Sequence, residues 1–256
     1  DNPDWTAEDE ALMLGEYGST DAIGYRVEVQ CEMIANLDRL VVPEWSVAGP
    51  ECTIRSRDYL RPPLYHGYVA VDLALIDHCG VLFALADYER QRLVILDELF
   101  LNYADTDEIA TAIWDKIHTV FPEKMWKGLR LVADGTAQQL YDLRKLHGLR
   151  FAAAKKHDKP VSIQTVRSAI SAHKIEIMDD CVETLNTLRN LIWNKSRKDY
   201  ERSKAMGHGD LFDALRYLWR VLNLRDSPHR PPKVQYENRV FHSPYEVQRW
   251  QQSAEG

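Results

Sequence analysis

Asp210 and Asp213, in Gly209-Asp210-Leu211-Phe212-Asp213-Ala214-Leu215-Arg216-Tyr217, stand three residues apart where the spacing of Leu211, Leu215, Leu218 and Leu222 predicts a helix. On that helix both carboxylates face one patch. A first helical turn tolerates acids because its free N–H groups carry partial positive charge, so this pair alone also fits a solvated helix start. Two further aspartates add weight. Asp72 ends the apolar run Tyr68-Val69-Ala70-Val71, and Asp134 ends Leu131-Val132-Ala133 just before Gly135. A carboxylate in a run meant for burial must be hydrogen-bonded, paired with a base, or bound to a cation. If the strands of Asp72 and Asp134 are neighbours and the helix of Asp213 crosses their ends, three or four acids converge. Their mutual repulsion then calls for a divalent cation, and all-oxygen ligands favour Mg2+ or Mn2+ over zinc. Two such ions, roughly 3.5–4 Å apart, clamp a phosphodiester, one activating water and the other stabilising the leaving oxygen.

A polyanionic substrate needs positive charge along its path, and the charge distribution supplies it. Residues 1–51 carry twelve acids against Arg26 and Arg39, whereas residues 144–174 carry eight Lys or Arg against Asp158 alone. An acidic arm therefore masks a basic body within a net charge of −7. Arg144, Lys155, Lys156 and Lys159 in the first basic stretch are candidate phosphate contacts. So are Lys195, Arg197, Lys198, Arg202 and Lys204 in the polar segment 193–206. Cys31, Cys52, Cys79 and Cys181 form no CxxC pair, which argues against structural zinc and a disulfide framework and makes a reducing compartment the expectation. No apolar run approaches the roughly 20 residues of a membrane span.

The elements that must position these groups are legible in outline. Runs at 68–76, 81–88 and 93–100, joined by short connections, predict an antiparallel meander. A helix over 106–120, capped by Asp105 or Thr106, leads to a buried strand at 129–134. Helices at 137–146, 162–172 and 182–191 alternate with strands at 149–153 and 174–178. The fold class that follows is α/β, a mixed sheet with an antiparallel meander plus parallel strands, flanked by helices. In such sheets function gathers beyond the carboxyl ends of the parallel strands. Weaker patterns put a short helix at 8–17 and an alternating or helical segment at 25–33, with Pro43, Gly49 and Pro50 as breakers after them. The expected division is an acidic N-terminal arm or linker at 1–60, a domain at 61–226 and a polar tail at 227–256.

The ordered series Tyr68-Val-Ala-Val-Asp72, Leu131-Val-Ala-Asp134-Gly135, Lys155-Lys156 with Ser162-Ile163, Ile175-Glu-Ile177 and Gly209-Asp210-Leu-Phe-Asp213-Ala-Leu-Arg-Tyr217 resembles the nuclease domain of the tailed-phage terminase large subunit. The resemblance covers about residues 40–222. It implies a ribonuclease H-like fold and a metal-dependent endonuclease that cuts double-stranded viral DNA concatemers during packaging, with little sequence specificity. By position, Asp72, Asp134 and Asp213 become the acidic triad, with Asp72 bridging two Mg2+ or Mn2+ ions and Asp210 adjoining as a further metal ligand.

Two departures stand out. Leu73-Ala74 follows the first Asp where the family often has Pro-Gly. Asp210 stands where many members have His, the histidine here being His208. Asp77 occupies a position where a further acid is common, so Asp77 and His208 form a second rank of site residues. The implied partners are DNA, the portal protein, the small terminase subunit and an ATPase motor domain. The implied location is the host cell cytoplasm. The chain has no Gly-x-x-x-x-Gly-Lys-Ser/Thr phosphate cradle, so ATP hydrolysis is not expected of it. Two other readings fit these residues: a Holliday-junction-resolvase-like nuclease, and a portal-docking module working through Arg239 to Trp250 with a silent nuclease.

Overall fold

The computed structural model of the chain describes residues 39–73, 78–201 and 209–224, together with Thr6, Ala11 and Leu12. The patterns at 8–17 and 25–33 lie almost wholly outside these residues. Asp77, Arg202, Lys204, His208 and the tail lie entirely outside them.

Seven strands form one sheet: β1 (Thr53–Ile54), β2 (Tyr65–Asp72), β3 (His78–Asp87), β4 (Arg92–Asn102), β5 (Arg130–Asp134), β6 (Ala152–Ala153) and β7 (Ile175–Met178), in the order β1-β7-β4-β3-β2-β5-β6. β2, β3 and β4 make the expected antiparallel meander. β5 runs parallel to β2 and to β6, and β7 runs parallel to β4 and to β1. The fold class expected from the sequence is therefore present.

Side chains alternate across this sheet with period two. Tyr68, Ala70, Leu82 and Val132 enter one core layer, and Val69, Val71, Val81, Phe83 and Ala133 the other. The second layer is covered by α2 (Thr106–Val120), which buries Ile109, Ile113 and Ile117, and by α3 (Ala137–His147). Asp105 and Glu108 close a capping box at the start of α2, and Thr136 and Gln139 do the same for α3. The first layer is covered by α1 (Trp45–Cys52), α4 (Lys159–Ser171), α5 (Val182–Asn190) and α6 (Asp210–Val221). Glu98 of β4 accepts from the N–H groups of Glu183 and Thr184 at 2.7 and 2.8 Å, supplying the acid that caps the start of α5.

Several boundaries differ from the sequence reading. β2 runs from Tyr65 to Asp72, and α4 begins at Lys159 rather than Ser162. The strand expected at 149–153 shrinks to two residues, because Leu149 turns its side chain into the core and only Ala152 and Ala153 pair with β5. Residues 40–54, expected within an arm, are packed onto the body. Val41, Val42, Trp45 and Cys52 are buried, and β1 pairs with β7. Gly49 and Pro50 are expected breakers, yet α1 carries both. Trp45 lies where a Gly49 side chain would stand, with an added Cβ only 2.9 Å from the indole. Burial of the tryptophan outweighs the hydrogen bond that Pro50 forgoes.

Candidate active site

The register of β2 against β5 decides the site. Asp72 is the direct partner of Asp134 at the carboxyl ends of the two parallel strands, and the N–H of Leu73 donates to the carbonyl of Asp134 at 2.8 Å. Asp72 shares strand parity with Tyr68 and Ala70, and Asp134 shares it with Val132, so both carboxylates face the layer that holds α6.

Helix α6 crosses β2, β3 and β5. Leu211, Leu215 and Leu218 are fully buried beneath it, as their spacing predicts. Two glycines let it come close. Gly209 precedes the helix in the left-handed region (φ 74°), where an added Cβ would meet the Tyr200 ring at 2.5 Å. Gly80, the β3 partner of Asp72, lies directly under the first turn: its Cβ would stand 2.8 Å from the backbone N of Leu211. Asp210 and Asp213 occupy that turn.

The other three acids act on Asp72. Asp72 is pushed up to about 8, first by burial and then by the charges of Asp213, Asp210 and Asp134, with Arg216 working in the opposite direction. Asp134 and Asp213 have side chains only 14% and 16% exposed, and each is held by neighbours. The Tyr217 hydroxyl donates to Asp134 Oδ2 at 2.8 Å, and Lys156 Nζ lies 2.6 Å from Asp134 Oδ1. The Tyr200 hydroxyl donates to Asp213 Oδ1 at 2.6 Å, with Arg216 Nη1 at 3.3 Å from the same oxygen and Lys159 Nζ at 3.7 Å from Oδ2. Lys159 also pairs with Asp199 at 2.7 Å and lies over the Tyr200 ring.

Carboxylates of this kind suit a hard divalent cation, and burial without enough positive charge is what raises Asp72. Among the described residues, however, no three His, Cys, Asp or Glu side chains stand in ready metal-holding geometry. Oxygens of Asp134 and Asp213 are turned toward Lys156, Lys159, Arg216 and two tyrosines. A divalent ion fits the donor chemistry and would take the place of these ammonium groups.

Asp72, Asp134, Asp210 and Asp213 are thus brought together, and Lys156 and Lys159 join them. Lys155, Lys195, Arg197 and Lys198 are exposed on the flanking loops. Arg144 is exposed in the last turn of α3, about 10 Å along that helix from its start beside Asp134. Sequence reasoning missed Tyr200, Arg216 and Tyr217 as members of the site. It also missed Arg220, which donates to the carbonyls of Lys155 and His157 at 2.7 and 2.6 Å and so ties the lysine loop to α6. Arg216 and Tyr217 were findable, lying three and four residues beyond Asp213 on one helix face. Tyr200 left no such signal.

No known protein family matches the sequence, and no curated protein does. Solved structures do match. The large terminase of a thermophilic bacteriophage, in complex with ADP, aligns with a TM-score of 0.59 at 15% identity, over 87% of this chain and 53% of that one. The P22 large terminase nuclease domain aligns with a TM-score of 0.53 at 11% identity, over 66% of this chain and 87% of that domain. The chain has the large terminase nuclease fold. It is a ribonuclease H-like fold, as the motif series implies. The large terminase nuclease from the thermophilic phage G20c, with bound magnesium, matches with a TM-score of 0.50 at 14% identity, over 72% of this chain and 97% of that one. This chain spans about half the length of the ADP-bound large terminase it matches.

Proposed function

We propose that this chain is a metal-dependent endonuclease that cuts double-stranded viral DNA concatemers during genome packaging. The observation that carries the reading is the register pairing of Asp72 with Asp134 beneath the first turn of α6, which sets Asp213 and Asp210 over the same strand ends. The fold it shares with phage terminase nucleases supports it, as does the magnesium bound in the G20c domain.

In this reading Asp72, Asp134 and Asp213 would hold two Mg2+ or Mn2+ ions, with Asp210 adjoining them and Asp77 and His208 kept in the second rank, His208 as a loop histidine. When bound, the ions supply Lewis acidity at the phosphate and activate water. The chain does the rest. Tyr217 and Tyr200 orient Asp134 and Asp213 through their hydroxyls. Lys156 and Lys159, which lie against Asp134 and Asp213, would be the bases nearest the scissile phosphate. Lys155, Lys195, Arg197 and Lys198, with Arg144, Arg202 and Lys204, hold the flanking backbone. Contacts to phosphates position the duplex without reading its sequence. The partners that follow are an ATPase motor domain, the portal protein and the small terminase subunit, in the host cell cytoplasm. Residues 1–60 would lead from the motor, and 227–256 would form a tail.

Supercoiled plasmid incubated with Mn2+ or Mg2+ tests this directly. The native chain should nick and linearise it, and Asp72→Asn and Asp213→Asn should not. Undiminished cutting by both variants would remove the assignment.

A further inference from the structure

Arg216 is the most deeply buried charge near the acids. It is 2% exposed, on the helix that carries Asp210 and Asp213. A buried guanidinium is tolerated only where other groups answer its charge and its five donors. Its charge is answered by Asp213, with Nη1 3.3 Å from Oδ1, and by the face of Tyr217, 5.4 Å from the guanidinium carbon. Two of its three nitrogens are not answered in the same way: neither Nε nor Nη1 makes a hydrogen bond among the described residues. An arginine kept only to stabilise the fold would have those donors met. One left with spare donors beside four acids is placed for its charge. That charge also reaches Asp72, where it offsets part of the repulsion from the other three.

We propose that Arg216 is a positioning residue of the acid site, a resident cation that orients Asp213 and cancels part of the acids' charge, so that divalent ions are held weakly enough to exchange. The inference rests on the nuclease reading and deepens it. Unlike Lys156, whose side chain is 67% exposed, Arg216 is buried, with its side chain only 3% exposed. It stays beside the acids when ions arrive, and each ion binds against its repulsion.

The test measures Mn2+ binding to the 256-residue chain without DNA, by calorimetry and electron paramagnetic resonance. Cleavage at saturating Mn2+ and thermal unfolding are followed in parallel. Arg216→Met should bind Mn2+ at least about tenfold more tightly, because one opposing charge is gone. It should cut about a hundredfold more slowly, because Asp213 has lost its orientation. Arg216→Lys, with the charge but not the planar fork, should keep Mn2+ affinity within about threefold and cut roughly tenfold more slowly.

A folded Arg216→Met with native or weaker Mn2+ affinity overturns the proposal. If the methionine variant does not fold, Arg216→Lys decides alone, and native cutting by it overturns the orienting role. A native chain that binds no Mn2+ overturns the nuclease reading and this inference together. Native binding with an unaltered Arg216→Met removes Arg216 only.

Discussion

Gly80 of β3 carries the backbone of Asp210 where a side chain would otherwise stand: a Cβ on Gly80 would lie 2.9 Å from the Asp210 carbonyl carbon. Backbone cannot swing aside as a side chain end can. The closeness of α6 to the sheet, and with it the height of Asp210 and Asp213 above Asp72 and Asp134, therefore depends on a missing methyl group.

Gly80→Ala should lift the start of α6. Overpacking of this kind costs about 1–3 kcal/mol, which for a domain of this size lowers the melting temperature by roughly 3–10 °C. Cleavage should fall more than stability does, since the two pairs of acids separate. Thermal unfolding and plasmid nicking on one preparation check both effects. A variant that melts and cuts like the native chain would show that the helix start has room to spare.

Asp72 gives a pH signature. Its carboxyl ionises near 8 in the fold against an ordinary value of 3.8, so the native state holds a proton that the unfolded chain has released. Stability from this group is complete below about pH 4, declines as pH rises toward 8 and is then level, a loss on the order of 5 kcal/mol at most. Asp72→Asn cannot titrate. In metal-free buffer it should become progressively more stable than the native chain from about pH 4 to about pH 8, while losing cleavage. Parallel denaturant-stability profiles for the two proteins would refute this.

Tyr217→Phe removes one donor from Asp134 Oδ2 and nothing else in shape. The cost to stability should be about 1–2 kcal/mol. In the presence of Mn2+ the loss should shrink, because an ion can take over the abandoned oxygen. Unfolding curves with and without Mn2+ measure the difference. An equal loss in both would mean that Asp134 does not receive the ion.

The exposed bases Lys195 and Lys198 should act through phosphates alone. Each alanine variant is expected to weaken duplex binding at low salt and to reduce the slope of log affinity against log salt by about one, equally for unrelated sequences. Fluorescence anisotropy across a salt series gives the slope. A sequence-dependent change would point to base contacts.

Much of this arrangement is legible without coordinates. Asp72 and Asp134 each interrupt an apolar run, visible because burial of a charge demands an answer, and Asp213 shows by its three-residue spacing from Asp210 on one helix face. The meander and the capped helix over 106–120 are visible through their periods and their punctuation. The answers to the charges are less visible. Arg216 reads as one more polar residue on an amphipathic helix, although its side chain points inward. Tyr200 reaches Asp213 through the turn of Gly209, a contact fixed by tertiary packing rather than spacing. Helix α1 is hidden because Gly49 and Pro50 are breakers in isolation, and only the burial of Trp45 reverses that. Lys156 and Lys159 read as bases for DNA, and local sequence carries nothing to say that they close on Asp134 and Asp213.

The pairing of Asp72 with Asp134 is made by a ladder of main-chain bonds to which every residue type but proline contributes alike. Replacing Val69, Ala70 or Val71 by other small apolar residues leaves the two acids facing each other. Adding or deleting a single residue in either strand sends one acid to the opposite face. A sequence under that constraint can vary at nearly every letter so long as the count between the strand start and its acid is kept. Chains that agree at only 11–15% of positions can therefore still superpose.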